Sequence, residues 1–162
     1  METIAIYWEP RIKTYGFQRF SDLALIEFSC LLHEIQSLGE ILSHDALHVV
    51  EPKFIMAQES DHEISFTFCL PAKEGKGFHA SLGKTLIPNS LRCVSPVGII
   101  FFYGPHFGDR YGIADATFSS LSKAGITVIA SGCSSSSVYV VVIQGDMDKA
   151  EEALTQTFEV AK

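Results

Sequence analysis

Along Glu63–Leu70, apolar Ile64, Phe66 and Phe68 alternate with Glu63, Ser65 and Thr67. A period of two predicts a half-buried strand. Lys53–Gln58 precedes it across the polar turn Glu59 to His62, and together they predict an antiparallel pair. Thr3–Trp8 is rich in β-formers, and Val97–Tyr103 is a continuous apolar run that predicts a central strand. Ile126–Ala130 and Val138–Ile143 predict a second pair around the serine-rich stretch Ser131 to Ser137. Between these segments the period changes. Ser21–Leu38 places Leu25, Phe28, Leu32 and Ile35 at helical spacing, with Gly39 as a left-handed stop. Ala114–Ala124 repeats this with Ala114, Thr117, Phe118 and Leu121, then Gly125. Asp146 is placed to cap a last helix whose stripe is Met147, Ala150, Leu154 and Phe158. A shorter helix is expected from Gly77 to Leu86, ended by Ile87, Pro88 and Asn89.

The order is β-α-β-β-α, twice. Laying Ile4–Phe17 over Ile100–Ile113 matches Ile4 with Ile100, Tyr7 with Tyr103, Tyr15 with Tyr111 and Gly16 with Gly112, without a gap. The matching element order marks an internal repeat of a whole small domain. The expected domains are 1–92 and 93–162, with the boundary near Leu91 to Pro96.

Composition narrows the function classes. With 162 residues, 47% hydrophobic and 19% charged, the chain is long enough to bury a core and is not a disordered one. Net charge is -7 and the basic residues are scattered, so no nucleic-acid footprint is expected. Cys30, Cys69, Cys93 and Cys133 lie far apart, which argues against a thiolate metal site and for reduced thiols in the cytoplasm. The N-terminus lacks the basic-then-apolar pattern of a signal peptide. The most apolar stretch is too short to span a bilayer, so no membrane association is expected.

The second half resembles a known family. Gly112 to Phe118, Leu121 to Val128, the serine turn and Val138 to Val142 are similar to the second ACT domain of aspartokinases. The family pattern there is roughly P-G-V-A-A-x-x-F-x-A-L-A-x-A-G-I-N-I, a turn S-T-S-E, then I-S-V-V-V. Asp146 to Phe158 resembles the family's closing helix. In the first half, Tyr15 to Phe17 resembles the family's G-F-L turn, and Ser60 to Phe68 its S-E-x-S-V-S-L-T-L. Departures are Thr127 for the family's Asn, Gly132 to Ser135 for S-T-S-E, and tyrosines at 15 and 111 where the family has Pro. No counterpart of the amino-terminal kinase domain is recognised. The resemblance implies an α+β fold of two ferredoxin-like βαββα domains with antiparallel sheets and helices on one face. It further implies a non-catalytic regulatory chain that binds an amino acid at ACT-domain interfaces, pairs as a homodimer, and needs no cofactor. The alternative it leaves is the regulatory β-type subunit of a split aspartokinase, partnered by a catalytic kinase chain.

The loops before the expected helices are the candidate site. In Lys13, Thr14, Tyr15, Gly16 and Phe17, and in Asp109, Arg110, Tyr111, Gly112 and Ile113, a glycine sits where a helix is expected to begin. Free N–H groups and the helix dipole there attract a carboxylate. Asp61, beside Ser60, is suited to an α-ammonium, so the first domain offers both poles and the second mainly the anion end. By the resemblance Thr127, Ser134 and Ser135 complete the second site. The bland reading is that Gly16 and Gly112 only permit tight turns. Ser134 to Ser137 reads as a solvated turn, since no base-and-orienter pattern surrounds it. His44 and His48 lack a third metal ligand. Lys73 to Gly77 lacks P-loop spacing and reads as a connecting loop. Trp8 serves a pocket or the core equally well.

Overall fold

The computed structural model describes residues 11–43, 51–60, 62–85, 90–105, 107–134 and 136–160. The expected strand Thr3–Trp8, His44 with His48, and Ile87 to Asn89 lie outside them. In chain order the elements are β1 (Ile12–Thr14), β2 (Phe17–Leu31), α1 (Ile35–Ser43), β3 (Phe54–Ser60), β4 (Glu63–Pro71), α2 (Ala72–Thr85), β5 (Ser90–Tyr103), α3 (Ile113–Lys123), β6 (Ala130–Cys133), β7 (Ser137–Ile143), α4 (Met147–Thr157) and β8 (Phe158–Val160).

Two compact units divide the chain, and they do not follow sequential halves. One is Ser21–Val97; the other joins the residues up to Phe20 with those from Gly98 onward. The inner unit therefore interrupts the outer one, whereas a simple tandem repeat would place 1–92 before 93–162.

In the inner unit the strands lie in the order β3-β4-β2-β5. β2 and β4 are antiparallel, with Leu25 opposite Cys69, Phe28 opposite Phe66 and Cys30 opposite Ile64; β3 and β4 pair the same way. Phe28 stacks on Phe66 and Phe68 at 5.3 and 5.9 Å between centroids, a cross-strand aromatic ladder. Ile26, Phe28, Phe68 and Leu70 of the sheet meet Leu38 and Ile41 of α1 and Phe78 and Leu82 of α2 in one cluster. Helices thus cover one face. Glu27 pairs with Arg92 across β2 and β5 at 2.9 Å, and the Ser29 and Ser90 hydroxyls share a hydrogen bond.

Two expectations fail here. Residues 21–31 form a strand, not the first part of a helix. Leu23, Ala24, Leu25, Ile26, Phe28 and Cys30 are all buried, so the run points to both faces of its sheet. A strand buried on both sides carries apolar residues at every spacing, helical ones included. The helix begins only at Ile35, and Gly39 lies inside it rather than ending it. Lys73 to Gly77 is also helical, the opening of α2. Gly75 has a packing reason: a Cβ there would stand 2.5 Å from Cβ of Ala24, so the helix approaches β2 more closely than a side chain at this position allows, whereas a Cβ at Gly77 would meet nothing within 4 Å.

In the outer unit the order is β5-β7-β6, with β1 and β8 paired in parallel beside it. Ile100, Phe102, Val138, Val140 and Val142 face Ile113 and Leu121 of α3 and Met147, Ala150 and Leu154 of α4. The core is again on the helical face. α3 and α4 fall where the periodicity predicts them, and Gly125 takes the left-handed φ of 69° expected of a helix stop. Asp146 precedes α4 without a side-chain capping bond. β6 starts at Ala130, later than the expected Ile126, and Ile126 is instead buried against the core. The fold expected from the sequence, βαββα with an antiparallel sheet and helices on one face, is present in each unit.

Candidate functional site

The turn from β5 into α3 is the most built-up concavity among the candidates. Gly112 precedes α3 with φ of 87°, a conformation that favours glycine. The first N–H groups of an α-helix have no partner within it, and here they border a cleft of about 250 Å³. From the loop and helix start, Phe107, Arg110, Tyr111, Gly112, Ile113 and Ala114 line it; Cys133, Ser134, Ser137 and Val138 close it from the β6–β7 turn. That turn is braced by Ser134 N–H donating to the Ser137 carbonyl at 2.9 Å. Ile113 is buried and anchors the helix start to the core, so the backbone donors are held in place. The cleft offers a carboxylate the positive end of a helix and an arginine.

The corresponding turn of the inner unit, from β2 into α1, is different. The Glu34 carboxylate accepts a hydrogen bond from Leu31 N–H at 2.8 Å. An acidic side chain reaching back to the residue before the helix satisfies an orphan donor there. The inner unit thus supplies its own anion at this place, and the outer unit presents an open cleft.

Gly112, Ile113 and Ser134 are brought together as expected. Asp109 and Thr127 are exposed and do not line the cleft. Ser135, Asp61 and the side chain of Ser60 lie outside the described residues. Gly16 does not open a helix. It has φ of 120° and leads from β1 into β2, so the anion-binding helix start expected there does not exist. Its neighbours serve the fold: Thr14 is buried and its hydroxyl donates to the Tyr103 carbonyl at 2.7 Å, Lys13 belongs to β1, and Phe17 packs on Phe102 at 5.2 Å. Arg110, Ala114, Cys133 and Ser137 line the cleft without having been singled out as ligand contacts. A cation one residue before the loop's Tyr-Gly pair was the available signal for Arg110. Glu34 carried none, because Leu31 replaces the Ser or Thr that marks a capping box.

No group of His, Cys, Asp and Glu able to hold a metal occurs among the described residues, and no helix among them is long and apolar enough to cross a membrane. The cysteines are free; Cys30 and Cys69 are buried, Cys93 and Cys133 exposed. Burial, with a smaller contribution from Glu27, pushes the Cys69 thiol up to about 12, and burial raises Cys30 as well. The thiolate is the reactive form. Alkylation of the native protein at neutral pH is therefore expected at Cys93 and Cys133, with Cys30 and Cys69 modified only after unfolding. Peptide mass mapping checks this, and rapid native labelling of Cys69 would contradict the described burial.

Residues 102–158 match the ACT domain family. That segment is the outer unit's β5 end, α3, β6, β7 and α4. No curated protein matches the chain. Among solved structures, the regulatory subunit of aspartate kinase from Thermus thermophilus superposes with a TM-score of 0.73 at 13% identity, over 90% of this chain and 99% of that one. A structure of aspartokinase alpha and beta subunits gives 0.73 at 19% identity, over 89% and 97%. The aspartate kinase of Clostridium acetobutylicum gives 0.75 at 22% identity over 93% of this chain, which spans only 36% of that enzyme. At these identities the likeness is one of fold: the chain resembles the C-terminal regulatory region of aspartokinases.

Proposed function

We propose that this chain is a non-catalytic regulatory protein that binds a small ligand, an amino acid in kind, in the α3 cleft. The observation that carries the reading is the cleft itself, where a helix start set by Gly112 and the side chain of Arg110 face a braced serine turn. The fold adds support, since chains of nearly the same extent are described as regulatory subunits of aspartate kinase. The ligand's carboxylate sits against the α3 N–H groups. Occupancy acts by population shift: a ligand that prefers one arrangement biases what the chain does to its partner. A thermal-shift screen against the proteinogenic amino acids, run beside an ATP-turnover assay, tests this. A raised melting temperature with no turnover is expected; turnover that disappears on mutating this chain overturns the non-catalytic reading.

A second reading, the regulatory β-type subunit of a split aspartokinase, draws on the same likeness to an alpha and beta subunit structure. Co-purification with a catalytic kinase chain distinguishes it from a stand-alone sensor. In either case we place the chain in the cytoplasm, in keeping with its free thiols, and as a homodimer. The helix-free face of the outer unit carries Phe101 against Tyr139 at 4.6 Å and Tyr103 at 5.6 Å, with Tyr103 and Ile143 exposed. Exposed apolar side chains of this kind favour association. Light scattering at micromolar concentration is expected to give twice the chain mass; a monomer mass contradicts the dimer.

A further inference from the structure

We propose that the α3 cleft is specific for an amino acid with a neutral, aliphatic side chain, and that Tyr111 supplies the surface that recognises this side chain. This rests on the cleft reading above and deepens it by naming the ligand class.

The chemistry of the cleft wall is the first support. Phe107, Ile113 and Val138 line it and are only 9%, 7% and 3% exposed. They belong to the core of the outer unit, so the wall they form is carbon with carbon behind it. Ser134 and Ser137 add neutral hydroxyls. Arg110 is the one charged residue among the described lining residues, and it already has a partner within the protein. The described lining thus has nothing to neutralise a charged side chain of the ligand. An ionised group entering it loses its water without gaining a counter-ion, whereas an aliphatic group gains by leaving water.

Tyr111 is the second support, and it is independent of the helix backbone. It lines the cleft and is 98% exposed, against 56% for Tyr15 and Ile55, the next most exposed large hydrophobic residues among those described. An apolar residue exposed on its own is ordinary. Tyr111 is not on its own, because it borders a cleft whose buried wall is apolar. A ligand side chain lodged there meets carbon on two sides. The ring gives a large contact area and has only two χ angles to fix. Size sets the upper limit. A cleft of about 250 Å³ lies below the roughly 300–1,000 Å³ that hold drug-sized ligands, and it suits a single amino acid.

Calorimetry on the full chain with L-alanine, L-2-aminobutyrate, L-norvaline, L-leucine, L-glutamate and L-lysine tests the assignment, using the wild type, Tyr111→Ala and Tyr111→Phe. From alanine to leucine each added carbon is expected to tighten binding to the wild type by up to about 4-fold. Glutamate and lysine are expected to bind more weakly than norvaline, which is of similar length. Tyr111→Ala is expected to flatten the aliphatic series, with leucine losing on the order of 10-fold and alanine changing little. Tyr111→Phe keeps the ring and retains the series. A flat series on the wild type, or glutamate or lysine binding as tightly as leucine, overturns the aliphatic preference. A series that survives Tyr111→Ala overturns the role of Tyr111. Ala114→Trp separates the two levels of the argument. If a charged amino acid binds the wild type best and Ala114→Trp abolishes it, the cleft stands and its aliphatic preference falls. If none of the six probes binds, both fall.

Discussion

Replacing Phe102 with alanine is expected to destabilise the outer unit by about 3–5 kcal/mol, the range for deleting a buried aromatic ring. Phe102 is fully buried on the helical face of β5. Its ring contacts Phe17 at 5.2 Å, Phe158 at 5.0 Å and Phe107 at 6.0 Å, the last edge-on. These partners come from β2's first residue, from β8 and from the loop that leads to α3. One side chain thus holds together segments from both ends of the unit's sequence. Collapse of the vacated space would require all three to shift, so most of the cavity cost is retained. Urea unfolding measures it, and Phe102→Leu, which keeps much of the volume, should cost clearly less. Phe107 lines the cleft, so the alanine variant should also lose ligand response before it loses its fold.

Gly104→Val is expected to be the other large effect, by overpacking. A Cβ at Gly104 would lie 2.3 Å from the Lys13 carbonyl oxygen and 2.5 Å from the Phe107 ring. The first contact is with backbone, which cannot swing aside. Either β1 leaves β8, with which Ile12, Lys13 and Thr14 pair, or the Phe107 loop moves. Small-to-large changes in a packed site cost about 1–3 kcal/mol and sometimes more, and this one should lie at the upper end. Gly145→Ala is the matched control: its Cβ would meet nothing within 4 Å, so it should stay within about 0.5 kcal/mol of wild type. Equal stability of the Gly104 and Gly145 variants would contradict the described approach of β1 to the chain after β5.

Much of this fold was legible because its signals are local. Glu63–Leu70 alternates with period two and is a strand paired on both sides; Met147, Ala150 and Leu154 sit one helical turn apart and are buried. Residues 21–31 were not legible, since burial on two faces erases the alternation that identifies a strand. Lys73 to Gly77 misled for a related reason. Its glycines mark a loop when read locally, yet Gly75 answers to Ala24, about fifty residues earlier in the chain. The site followed the same division. Gly112 and Ile113 were found because the helix after them has an unambiguous stripe. Gly16 was matched to Gly112 by the ungapped overlay of residues 4–17 on 100–113, and its expected place at a helix start failed because a strand follows it. The true counterpart of Gly112, the turn at Leu31 to Glu34, contains no glycine and could not be recognised by comparing the repeats.

The central claim is that a small ligand occupies the α3 cleft. It is tested most directly by thermal-shift titration of the wild type and Ala114→Trp with an amino-acid panel that includes leucine. Ala114 is exposed in the first turn of α3 and lines the cleft, so an indole there fills the space without entering the core. A ligand that binds only the native state raises stability by RT ln(1 + [L]/Kd), or about 2.7 kcal/mol at one hundred times Kd. The expected result is at least one amino acid that raises the melting temperature of the wild type in a saturable way and leaves Ala114→Trp, itself folded, unmoved. A panel that shifts neither protein, or shifts both equally, would contradict a ligand site at this helix start.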